Sequence, residues 1–187
     1  MGKTQASAGG QKSSLTARRP AWSGVYDGYP KVNGGTSSES DEDPEIVFTG
    51  VFGADYDKST YFNACGTRVS LALLAGGMRQ VGNRGVKITN KSNKFYGKQI
   101  EPGAGKLKDI LENKWGGADI VINFPTDISD VRKKLSGKKG VYIMIPKSPR
   151  AFNASGHATL WTGYNVINAQ HHYVSEYTAA IYFWELK

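Results

Sequence analysis

Asn63-Ala64-Cys65-Gly66-Thr67-Arg68-Val69-Ser70-Leu71-Ala72-Leu73-Leu74, followed by Ala75-Gly76-Gly77, is the stretch whose reading decides the fold. Its apolar residues predict a helix over 63–74, and the paired glycines supply the stop. The single cysteine of the chain, Cys65, stands in the first turn of that helix. Free backbone N–H groups and the helix dipole favour negative charge there. A thiolate so placed has its pKa lowered from about 8.5 toward roughly 3.5–7.5, which is the preparation a cysteine nucleophile needs. The competing reading is a small buried hydrophobe, since unpaired cysteines are often core residues. A lone cysteine excludes both an internal disulfide and a cysteine-based zinc cage.

Working outward, helical spacing of Leu107, Ile110, Leu111 and Trp115 predicts a second helix over 105–115, ended by Gly116-Gly117. A short strand is expected over 119–124, and Thr126 or Asp127 caps a third helix over 128–135. Runs rich in Val, Ile, Tyr, Phe and Trp at 141–145, 157–163 and 179–186 read as strands. Helices first and strands later predict an α+β domain with a C-terminal antiparallel sheet. Residues 1–20 are almost devoid of apolar side chains and are expected to be a flexible tail. One domain is expected over 21–187, with Trp22, Tyr26 and Tyr29 anchoring an N-terminal turn or short helix. A polar mobile loop is expected at 33–44.

A thiol nucleophile needs a base and a group to orient that base. His157 begins the run His157-Ala158-Thr159-Leu160-Trp161. Strand alternation places His157 and Trp161 on one face, open to a cleft if Ala158 and Leu160 face the core. A structural strand histidine is the simpler reading of His157 alone. Adjacent His171 and His172 read as solvated surface and make a poor metal pair. Asn168, eleven residues after His157, is a candidate to accept the histidine N–H, in competition with Asn165, Gln170 and Glu176. Helix-borne Cys, about ninety residues, strand-borne His, then a polar orienter is an order that fits papain-like peptidases. No metal and no cofactor are expected.

Charge narrows the partners. The net charge is +8, and residues 1–47 carry five basic and six acidic side chains against 19 and ten in 48–187. A basic body suits an anionic partner, including a carboxylate-rich cell wall. The basic residues are scattered and no nucleic-acid-binding motif accompanies them, so no nucleic-acid partner is expected. The richest apolar windows run for about six residues where a membrane span needs about 20, so no membrane insertion is expected. Residues 4–19 hold no apolar block of the length a secretory signal requires, and export by another route is expected.

The segment Asn63-Ala64-Cys65-Gly66-Thr67-Arg68-Val69-Ser70, with the apolar helix after it, resembles the cysteine motif of the type VI secretion amidase effectors, family 4. Gly156-His157-Ala158-Thr159-Leu160-Trp161 is similar to the Gly-His-x-x-Leu-Trp segment of the same family. Residues 181–186 are similar to its aromatic C-terminal strand, and 22–30 to its N-terminal segment. The resemblance implies an NlpC-type, papain-like cysteine peptidase without cofactor, made in the cytoplasm and secreted by the type VI machinery. Such an effector acts in the target periplasm and cuts the γ-D-glutamyl–meso-diaminopimelate amide of bacterial peptidoglycan. A cognate immunity protein that blocks the active-site cleft is the implied partner. Carried over by position, Cys65 is the nucleophile and His157 the base, while Asn168 stands where family members have an aspartate.

Arg68, one turn beyond Cys65, reads either as a partner for a substrate carboxylate or as a buried structural residue. Trp161 reads as a cleft wall or as a core aromatic. The Cys65 backbone N–H is the expected first oxyanion donor. Two other functions compete: a papain-like deamidase, acyltransferase or peptidase acting on protein, and a basic cell-wall or nucleic-acid binding module with an inert Cys65.

Overall fold

A computed structural model describes residues 3–8, 11–16, 18–34, 38–82 and 85–187. In chain order these form β1 (Lys3–Ala8), β2 (Gln11–Thr16), α1 (Trp22–Asp27), β3 (Lys31–Gly34), β4 (Ser38–Asp41), α2 (Pro44–Phe52) and α3 (Cys65–Ala75). There follow β5 (Val86–Lys87), β6 (Gln99–Ile100), α4 (Ala104–Trp115), β7 (Ile120–Asn123), α5 (Ile128–Leu135), β8 (Lys139–Pro146), α6 (Pro149–Phe152), β9 (His157–Thr162) and β10 (Thr178–Glu185). The main sheet has the order β7-β10-β8-β9 and is antiparallel throughout. The fold is α+β, with the cysteine helix in the first half and the sheet in the second, as the order of apolar patterns predicts.

Both faces of the sheet are covered. Val141, Ile143, Ala158, Leu160 and Trp184 point to one side and pack with α3 and α4 through Val69, Leu73, Leu107 and Leu111. Tyr142, Met144, Trp161, Ile181 and Phe183 point to the other and pack with Val131 and Leu135 of α5. Period-two alternation sends successive side chains to opposite faces, so two cores form from the same strands. On the face of β9 expected to be open, Trp161 therefore belongs to a second core, while His157 at the strand start lines a cleft.

Helix α3 is buried from Cys65 through Leu74, which explains why its sequence is apolar around most of its circumference. It is pinned at its start by the 101–102 backbone. Ser70 Oγ donates to the Glu101 carbonyl and accepts from the Glu101 N–H, each at 3.0 Å. A Cβ on Gly66 would lie 2.2 Å from the Pro102 carbonyl oxygen, so only glycine permits this approach.

The N-terminal part of the chain adds elements to this frame. Strands β1 and β2 pair with each other in antiparallel register. The stretch read as a polar mobile loop, 33–44, holds the end of β3 and all of β4, which pair antiparallel; residues 35–37 of that stretch lie outside the described residues. Helix α2, with Pro44 in its first turn and Asp43 as its cap, carries no strong periodic signal in the sequence. Arg19 bonds to Asp119 and Trp22 N–H donates to the Lys187 carbonyl at 2.8 Å, clasping the start of the domain to its end. No described helix is long and apolar enough to cross a membrane.

Candidate active site

Cys65 opens α3 at one wall of a cleft of about 630 Å³, and His157 opens β9 in the same cleft. Their proximity follows from packing, since α3 lies against β9. Gly156 delivers His157: its φ of +147° and a virtual Cβ only 2.3 Å from the Met144 carbonyl exclude any larger residue there.

Both groups are held close to neutral. Cys65 is 3% exposed, and burial pushes its thiol up. Backbone N–H groups of Ala158 and Gly66 directed at the sulfur pull the other way without overcoming burial. The helix-start effect expected from the sequence is present but loses to desolvation. His157 is 6% exposed, and burial pushes its imidazole down to about 3. Asp41 acts against that shift, while His171 and Arg68 add to it. His157 Nε2 is buried and has no hydrogen-bond partner among the described residues. Its ring lies 4.7 Å from that of Tyr173 and 6.3 Å from that of His171, edge-on to the latter.

Asn168 reaches the cleft but does not meet His157. It adopts φ +55°, its backbone N–H donates to the Glu39 carbonyl at 3.0 Å, and its Nδ2 lies 3.3 Å from His171 Nε2. The left-handed turn aims the amide at His171 instead. His171, read from sequence as solvated surface, lines the cleft, and its Nδ1 lies 2.9 Å from Asp41 Oδ2. The other oxygen of Asp41 accepts from the Tyr29 hydroxyl at 2.8 Å.

Arg68 is 6% exposed and directs Nε and Nη2 to the Glu42 carbonyl, with the Nε contact at 3.0 Å. It ties the end of the β3–β4 segment to α3 while still lining the cleft. Trp161 is a correction. It is fully buried in the second core, its Nε1–H donates to the Leu135 carbonyl at 3.0 Å, and it is absent from the cleft wall. The reason is α5, which closes the face of β9 that a bare strand would leave open. The Cys65 N–H, the expected oxyanion donor, donates to Asn63 Oδ1 at 3.2 Å. Among the described residues there is no cluster of three or more His, Cys, Asp or Glu suited to a metal ion.

Asp41, His171 and Tyr173 are among the cleft residues that sequence reasoning missed. Asp41 sits in the acidic run Ser38–Glu39–Ser40–Asp41–Glu42–Asp43, which looks like solvated loop and has no periodicity to set it apart. Its contacts with Tyr29 and His171 single it out in the folded chain.

Solved structures share this fold. A crystal structure of the type VI effector Tae4 from Enterobacter cloacae superposes with a TM-score of 0.66 at 21% identity, covering 92% of this chain and all of that one. The Tae4–Tai4 effector–immunity complex from the same organism gives 0.68 at 23% identity, covering 91% of this chain and all of that one. The corresponding complex from Salmonella Typhimurium gives 0.66 at 23% identity, with the same coverage. The shared fold is the NlpC-type, papain-like one. No curated protein matches the chain. Residues 61–184, spanning Cys65 through β10, match the family of type VI secretion system amidase effector protein 4. With that match over about two thirds of its length, and with a cysteine and a histidine facing one cleft on the same fold, this chain belongs to the type VI secretion amidase effector family 4.

Proposed function

We propose that this amidase effector hydrolyses the γ-D-glutamyl–meso-diaminopimelate amide of peptidoglycan stem peptides through a thioester on Cys65. The observation that carries the reading is the placement of Cys65 and His157 in one cleft, on the helix and strand that the family match spans. Because burial disfavours both charged forms, the resting pair is thiol and neutral imidazole. His157 takes the thiol proton as Cys65 Sγ bonds to the γ-glutamyl carbonyl carbon, and negative charge passes to the carbonyl oxygen. The start of α3 favours that charge through its dipole. Collapse of the tetrahedral species breaks the C–N bond, and the proton on His157 goes to the departing diaminopimelate amine. Water, deprotonated by the same imidazole, then cleaves the thioester and returns the free thiol.

Asn168 is the third member that the family resemblance implies, standing where family members have an aspartate. Its role on that reading is to orient the base through the 168–171 turn. Arg68 keeps one guanidinium nitrogen, Nη1, for a substrate carboxylate at the cleft wall. The effector is delivered by the type VI machinery to the periplasm of target cells. The producer is protected by an immunity protein that blocks the cleft; structures of the same fold are effector–immunity complexes of Tae4 with Tai4.

The test is a muropeptide digest of meso-diaminopimelate sacculi by wild type and Cys65→Ala. Wild type is expected to produce disaccharide-dipeptide ends, and Cys65→Ala none. Intact sacculi after treatment with a wild type whose thiol still alkylates would redirect the search to protein substrates.

A further inference from the structure

The neutral amide of Asn168 is turned toward His171, and His157 Nε2 is left without a partner among the described residues. The forming imidazolium therefore needs its counter-charge from elsewhere in the cleft. Asp41 is placed to provide it. Its side chain is only 5% exposed, so its charge is little screened by solvent. One tautomer of His171 satisfies the surrounding contacts. Asn168 Nδ2–H donates to His171 Nε2, and His171 Nδ1–H donates to Asp41 Oδ2. The Tyr29 hydroxyl donates to Asp41 Oδ1 and lies 3.4 Å from Thr159 Oγ1, which shares a face of β9 with His157. The carboxylate is thus fixed by two donors and tied to the strand that bears the base. The His171 ring touches Asp41 and lies edge-on to the His157 ring, with 6.3 Å between the ring centroids.

We propose that Asp41, held by Tyr29 and His171, is the positioning residue that supplies the negative charge for the His157 imidazolium, a duty that the neutral amide of Asn168 does not meet. This rests on the thiol–imidazole reading above. Residues 29 and 41 both precede the span 61–184 of the family match, so the match itself assigns them nothing. The charged and titratable groups around His157 are Asp41 of β4, Cys65 and Arg68 of α3, and His171 and Tyr173 of the β9–β10 connection. Glu42 and Asp43 lie further along the same cleft. Arg68 and His171 oppose charge on His157, and Asp41 favours it.

The experiment compares full-length wild type, Asp41→Asn and Asp41→Asn/Asn168→Asp in two assays. One is digestion of sacculi. The other is acylation of Cys65 by p-nitrophenyl acetate, an activated ester that needs no stem-peptide recognition. Asp41→Asn is expected to slow both by about 10- to 100-fold, the usual range for weakened acid–base catalysis, with KM nearly unchanged. The acid limb of its pH–rate profile moves to lower pH, because a less stabilised imidazolium gives up its proton sooner. The double variant, which returns a carboxylate to the other nitrogen of the His171 ring, regains at least about fivefold over Asp41→Asn.

Rates within about threefold of wild type, or a loss with an unmoved acid limb, would overturn the proposal. If melting shows that Asp41→Asn does not fold, Tyr29→Phe carries the test. Freeing one oxygen of Asp41 moves the acid limb the same way by less, and an unmoved limb there counts equally against it. A wild type that acylates with the ester yet spares sacculi sinks the peptidoglycan reading and leaves the Asp41 comparison standing. Active sacculi digestion with an indifferent Asp41 does the reverse.

Discussion

Cys65 and His157 are each buried and each shifted toward the neutral form, so this pair carries no separated charge at rest. On the proposed mechanism, charge is created only as sulfur meets carbonyl carbon, where the helix dipole and Asp41 act on it. This arrangement has a measurable effect on stability. The imidazole of His157 titrates near 6.5 in the unfolded chain and about 3 in the folded one. Below pH 6.5 the unfolded chain binds a proton that the folded chain refuses. Stability is therefore full above that pH and is lost as pH falls from 6.5 toward 3, at up to about 1.4 kcal/mol per pH unit. Melting curves between pH 7 and pH 4.5 are expected to fall more steeply for wild type than for His157→Gln. Parallel curves would mean that the imidazole is hydrated in solution.

At the scale of elements, the site depends on how closely α3 approaches its neighbours. Gly66→Ala is expected to cost about 1–3 kcal/mol through overpacking against the Pro102 carbonyl. Because the displaced turn carries Cys65, the variant should also lose activity out of proportion to its lowered Tm. A normal rate of sacculi digestion would show that the 101–102 backbone yields freely. Trp161 belongs to the opposite layer. Trp161→Phe leaves the Leu135 carbonyl without its donor and is expected to lower stability by about 1–3 kcal/mol while leaving KM unchanged. A raised KM in that variant would return Trp161 to the cleft.

The whole molecule divides between a part the family match spans and a part before it. Residues 61–184 contain the cysteine, the histidine and the sheet. The described residues between 19 and 43 clasp this body through Arg19 and Trp22, carry Asp41 into the cleft and set the buried Tyr29 against it. The polar composition of residues 1–17, and the pairing of β1 with β2 rather than with the main sheet, suit a tail that contributes little to the body. Removing residues 1–17 is expected to change Tm by less than a few degrees and to leave digestion of sacculi within about twofold. A larger loss, read by calorimetry and the same digest, would assign the tail to the domain.

The helices and strands whose character is written in local periodicity were legible without coordinates. Leu107, Leu111 and Trp115 repeat with the helical period, and 141–145 and 179–186 carry strand-forming residues. Cys65 and His157 stood out because a lone thiol at a helix start and a histidine after Gly156 are chemically unusual positions. The short-range part of the fold follows from the chain itself, because capping, spacing and glycine stops act within a few residues. The environment of the site does not. Burial reversed the expected shift of Cys65, the second core took Trp161 away from the cleft, and a left-handed turn directed Asn168 to His171. Asp41 reaches that same histidine from 130 positions away. Desolvation and the meeting of distant polar groups are properties of the packed molecule, and only tertiary structure sets which carboxylate stands beside which ring.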